Sequence, residues 1–192
     1  MTTHAISTRA IRTTRVMCCV GAIALSGAVL AGCGSSSSTS TPTTPAQLFS
    51  AGFAAQTAGN PKLAATYYSE VLLKYPKEAN AAYDLGVAEG SLGNVAAAEA
   101  AYQRALAINP MMTSALFNLA DAQSGTNPEA AIVTLRRLLK ILPKDADTQF
   151  NLGLLLARHG KLAEGQALLA KAIATDPSLH VPSDIKLPAS AG

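Results

Sequence analysis

The chain has 192 residues, 49% of them hydrophobic, 14% charged and 5% aromatic, with no tryptophan and three cysteines. This excludes a disordered or collagen-like chain and a disulfide scaffold. The formal charge of +3 comes entirely from Arg9, Arg12 and Arg15, and from residue 33 onward acids and bases balance. A neutral domain lacks the electrostatic footprint of a nucleic-acid binder.

Residues 1–32 have the three parts of a secretory signal: a positive start, an apolar run from Val16 to Val29, and small residues at Ala31 and Gly32. That run has 14 residues, short of the roughly 17–25 that a bilayer-spanning helix needs. Leu30-Ala31-Gly32-Cys33 resembles the lipobox at which bacterial lipoproteins are acylated on cysteine and cleaved before it. An ordinary signal peptide with a chance cysteine and an uncleaved anchor are the alternatives. Cys18 and Cys19 would be discarded with the signal, leaving Cys33 alone. Gly34 to Thr44 reads GSSSSTSTPTT, has nothing to bury and is expected to be a flexible tether within a 33–44 linker.

From residue 45 the chain repeats. Pro76, Pro110, Pro143 and Pro177 are separated by 34, 33 and 34 residues, and Gly59, Gly93 and Gly160 fall on the same period. The units are 45–78, 79–112, 113–145 and 146–179, followed by a tail at 180–192. The second is the most regular: Leu85, Gly86, Gly93, Ala98, Tyr102, Ala105, Leu106 and Pro110. The first carries Leu48, Gly52, Gly59, Ala64, Tyr68, Leu72 and Pro76. The fourth departs at Gly165, where alanine is expected, and the third has lost one residue around Gly125-Thr126-Asn127. This pattern resembles the tetratricopeptide repeat, a 34-residue unit of two antiparallel helices. The resemblance implies an all-α fold, a right-handed α-solenoid of four repeats and eight helices.

Elementary chemistry supports the same reading. Small residues let paired helices approach and bulky ones fill the remaining volume. Thr44-Pro45-Ala46-Gln47 reads as a capping box with proline at the first helical position. Asn60-Pro61 and Asn127-Pro128 repeat the cap-and-proline start. A single two-helix unit cannot hold a core, so stacking must make it continuous. The last helix would then expose Leu168, Leu169 and Ile173. Two covers are open: Val181, Ile185 and Leu187 of the tail folding back, or a second copy forming a homodimer through that helix.

No catalytic arrangement is evident. His159 and His180 have no nucleophile or metal-ligand partners at a recognised spacing, and no phosphate-binding loop is present. Asp145 and Asp147 open a helix, where the dipole favours negative charge. Arg136, Arg137, Lys140 and Lys144 form a basic run expected to face solvent, or lipid headgroups. The informative set is Phe49, Tyr83, Phe117 and Phe150, one aromatic at the fifth position of each repeat. The resemblance implies that this position and its neighbours line a concave groove, with packing of the rings between repeats as the alternative. Phe53, Asp84, Val87, Asn118, Asp121, Asn151 and Leu154 would complete it. The expectation is a non-catalytic scaffold without cofactor or metal, held on the outer side of a bacterial cytoplasmic membrane by a lipid on Cys33. It would bind a peptide or protein segment, and no nucleic acid. An accessory subunit of an envelope enzyme and a small-molecule or cell-wall-fragment binder are the alternatives.

Overall fold

The computed structural model describes residues 41–185. Among these residues there are eight helices and no strand: α1 (Pro45–Thr57), α2 (Pro61–Lys74), α3 (Ala79–Ser91), α4 (Val95–Ile108), α5 (Thr113–Thr126), α6 (Pro128–Ile141), α7 (Ala146–Arg158) and α8 (Leu162–Thr175). Each pair is a hairpin, and each hairpin packs on the next, giving the expected α-solenoid of eight helices. None of these helices is long and apolar enough to cross a membrane.

Helix starts follow the local signals. The Thr44 side chain accepts from the Gln47 N–H while Gln47 reaches back to the Thr44 backbone. Asn60 and Asn127 each accept from the N–H three residues on, ahead of Pro61 and Pro128. Asp145 caps α7 by accepting from the Thr148 N–H at 2.9 Å, and Asp147 lies in the first turn. The hairpins of repeats one, two and four turn through Gly59, Gly93 and Gly160, with φ of 74°, 77° and 81°. Those angles suit glycine. The shortened third repeat needs no such turn, because Asn127 closes α5 and caps α6 at once.

Packing explains the residue sizes. A Cβ on Gly86 would lie 2.5 Å from the Tyr102 ring, and one on Gly52 would lie 2.7 Å from Tyr68. In the fourth repeat the large ring is absent and the backbones themselves close in. A Cβ on Gly165 would meet the Gly153 carbonyl at 2.6 Å and the Ala157 nitrogen at 2.7 Å. The glycine that breaks the repeat pattern is therefore what lets α8 seat on α7. One continuous core runs from Leu48 through Tyr102 and Leu106 to Leu138, and a second joins Ala120 and Leu135 to Leu152 and Leu156.

Two arginines fasten successive repeats. Arg104 donates to the Leu72 and Pro76 carbonyls at 3.2 and 3.3 Å, and Arg137 donates to the Pro110 carbonyl at 2.5 Å. Both reach carbonyls at or just beyond the end of the preceding second helix, the negative end of its dipole. Arg136 pairs with Glu164 of α8 at 2.7 Å. The basic run is solvent-exposed as expected, yet two of its members also bridge neighbouring repeats.

Candidate functional site

The first helices α1, α3, α5 and α7 form one row, and α3 touches α5 directly. The fifth-position rings lie on this row. Phe49 is half-buried against Tyr68, with centroids 5.5 Å apart at 60°. Tyr83 sits likewise on Tyr102, at 5.9 Å and 42°. Tilted pairs of this kind are favourable for two quadrupoles. Packing thus takes one side of each ring and leaves the other on the surface. Asn118 of α5 donates to the Tyr83 hydroxyl at 3.2 Å, tying the second and third repeats together across the row. Phe117 is half-buried beside a cleft of about 320 Å³. Leu138 and Leu142 help to line it, and Asp145 and Asp147 form an acidic side.

Val87 and Asn151 are half-buried on the same row, and Phe53 is 58% exposed. Asp84 is half-buried, and burial pushes its carboxyl up to about 6. Asp121 reaches solvent, yet loss of water around it also raises its carboxyl above the usual range. Among the described residues neither carboxylate has an ion pair or a hydrogen-bond donor. Desolvation without a partner disfavours the charged form, which is the cause of both shifts.

The fourth repeat corrects the expected groove. Phe150 is only 5% exposed and Leu154 only 9%, so neither offers an open surface. They share a core with Leu169, Ala172 and Ile185, against which Leu179 and Val181 also pack. Arg158 at the end of α7 lies 3.7 Å from the Asp184 carboxylate and holds the tail in place. The tail thus folds back over the last hairpin, and pairing of two copies through α8 loses much of the face that it required. Leu187 and Cys33 lie outside the described residues.

Two contributors escaped the sequence reading. The repeat pattern gives Tyr68 and Tyr102 the role of filling space beside glycine. Their hydroxyls also face polar groups of the first-helix row: Tyr68 donates to Gln56 at 3.1 Å, and Tyr102 lies within reach of Asn118. Burial pushes both phenols up to about 12, and Asp84 pushes the same way on each. The available signal was tyrosine, rather than phenylalanine or leucine, at an otherwise apolar position. No group of His, Cys, Asp and Glu able to hold a metal occurs among the described residues.

The tetratricopeptide repeat profile matches residues 50–112, 83–146 and 121–180 in overlapping registers. The chain belongs to the tetratricopeptide repeat family. Tetratricopeptide repeats serve as protein-interaction scaffolds. Among curated protein sequences none matches the chain. Its fold is similar to a crystal structure of MamA, with TM-score 0.68 and 23% identity over 71% of this chain and 81% of that one. MamA from residue 41 onward of Desulfovibrio magneticus RS-1 gives 0.66 and 22%, over 71% and 78%. YrrB, described as a TPR protein with an unusual peptide-binding site, gives 0.65 and 19%, over 70% of each chain. At these identities the likeness is one of fold.

Proposed function

We propose that this tetratricopeptide repeat protein is a non-catalytic adaptor of a bacterial envelope. Its first-helix row receives a segment of a partner protein, and a lipid on Cys33 anchors it outside the cytoplasmic membrane. The observation that carries the binding half is the half-exposed aromatic row Phe49, Tyr83 and Phe117, continued by Phe53 and bounded by Asn118. Rings fixed on one side and open on the other supply apolar contact at low entropic cost. A repeated array of them suits an extended or helical segment held at several points. YrrB, a protein of the same fold, is described as having a peptide-binding site, which favours a peptide over an enclosed small molecule.

The anchoring half rests on the sequence alone: the apolar run, Leu30-Ala31-Gly32-Cys33 and the Gly34–Thr44 tether. Two acyl attachments at one cysteine would give stable membrane residence, which a single chain does not. Two measurements test the reading. Tyr83→Ala with Phe117→Ala should lose partners from an envelope extract while the helical circular dichroism persists; an unchanged partner set removes the row from the account. The intact mass of membrane-extracted protein should begin at residue 33 with lipid added, and the same species without lipid removes the anchor.

A further inference from the structure

Charge is unevenly divided between the two sets of helices. The second helices α2, α4, α6 and α8 carry seven lysines and arginines against four glutamates. The first helices carry Asp84, Glu89, Asp121 and Asp147, and their one cation, Arg158, lies against Asp184 of the tail. A domain with balanced charge therefore presents a negative first-helix row and a positive second-helix row.

Asp84 and Asp121 are placed one repeat apart on adjacent first helices, and both are near enough to the Tyr102 hydroxyl to act on it electrostatically. Between them Asn118 meets Tyr83 at 3.2 Å. Tyr83 directly precedes Asp84 on α3, and Phe117 stands one helical turn before Asp121 on α5. Aromatic faces beside unpaired carboxylates are complementary to a cation on an apolar stem: the carboxylate supplies charge, the ring supplies its negative face, and the stem covers apolar surface. A ligand without that cation would leave two partly desolvated carboxylates uncompensated. The far end of the row is already filled, because the tail covers Phe150 and Leu154. The open length therefore runs over the first three repeats, with this acidic section at its inner end.

Resting on the groove reading above, we infer that the row selects a protein segment with a Lys or Arg side chain between apolar residues, the cation docking at Asp84 and Asp121. The site thereby has the opposite polarity to a clamp for an acidic or C-terminal carboxylate ligand.

A random peptide library displayed on phage and selected against the detergent-solubilised full chain tests this. Selected peptides should carry Lys or Arg next to apolar residues at about fivefold or more over the starting pool, with the preference reduced at high salt. Against Asp84→Asn with Asp121→Asn the apolar preference should remain and the basic one should vanish. Peptides enriched in Asp or Glu, or a basic preference equal on both proteins, would overturn the charge selectivity and leave the groove standing. Binding that survives Tyr83→Ala with Phe117→Ala, or a selection that yields no binders, would overturn the groove itself.

Discussion

The two ends of the stack hold the same repeat in different states. In the first, Phe53 at the ninth position is 58% exposed. In the last, Leu154 at the equivalent position is 9% exposed beneath the tail. Both positions are apolar and both lie on a first helix, so the repeat does not decide which is open. What decides it is whether chain remains to cover it. Each interior hairpin is covered by its successor, and the last one by Leu179, Val181 and Ile185. A solenoid must close its terminal face in some such way or leave it to a partner.

The largest effect is expected at the centre of the stack. If both ends share one cooperative stack, Leu106→Ala should destabilise the whole domain by about 2–5 kcal/mol, as for a buried leucine. Chemical denaturation should still show one transition; a loss under about 0.5 kcal/mol would mean that the repeat register is misplaced. Next comes the close contact peculiar to the last hairpin. Gly165→Ala forces a methyl onto the Gly153 carbonyl and the Ala157 nitrogen, and should cost about 1–3 kcal/mol as overpacking does. At Gly125 an added Cβ meets nothing within 4 Å. In thermal melts of the two variants, Gly125→Ala should be neutral or raise Tm where Gly165→Ala lowers it.

The covered and open ends can then be compared directly. Ile185→Ala should cost about 1–2 kcal/mol and increase binding of a hydrophobic dye as Phe150 and Leu154 become wet, whereas Phe53→Ala should change stability by less than about 0.5 kcal/mol. Equal effects at the two positions would mean that the tail does not protect the last repeat. The smallest effect is electrostatic. Asp84 lies near Tyr68 of α2 and Tyr102 of α4, with Asp121 of α5 near the same Tyr102, and burial raises its carboxyl to about 6. The folded state therefore holds a proton that the unfolded chain has released. This contribution is full below about pH 4 and is lost as pH rises through about 6. Asp84→Asn should flatten that part of the stability profile and raise Tm at pH 8; a lower Tm there would contradict the burial argument.

Helix ends and the repeat period were legible because they depend on residues within a turn or two. Thr44 with Gln47, Asn60 with Pro61, and the three positive-φ glycines act locally, and each appears where its local signal puts it. The fifth-position rings follow the same period onto one row. Their half-burial was harder to see, because it depends on Tyr68 and Tyr102 approaching from the partner helix of each hairpin. Likewise the bonds of Arg104 and Arg137 have no local signature, since the carbonyls they meet lie 27–32 residues earlier in the chain.

Four helical hairpins, an aromatic at the fifth position of each and balanced charge from residue 33 onward are written in the chain. Spacing, caps and side-chain size act over short range and repeat at a fixed period. How much of that row is open depends on the folded chain, since exposure is set by which distant segment packs over a residue. Folding closed the row at Phe150 and Leu154 with the tail, and left Asp84 and Asp121 without a partner beside the rings.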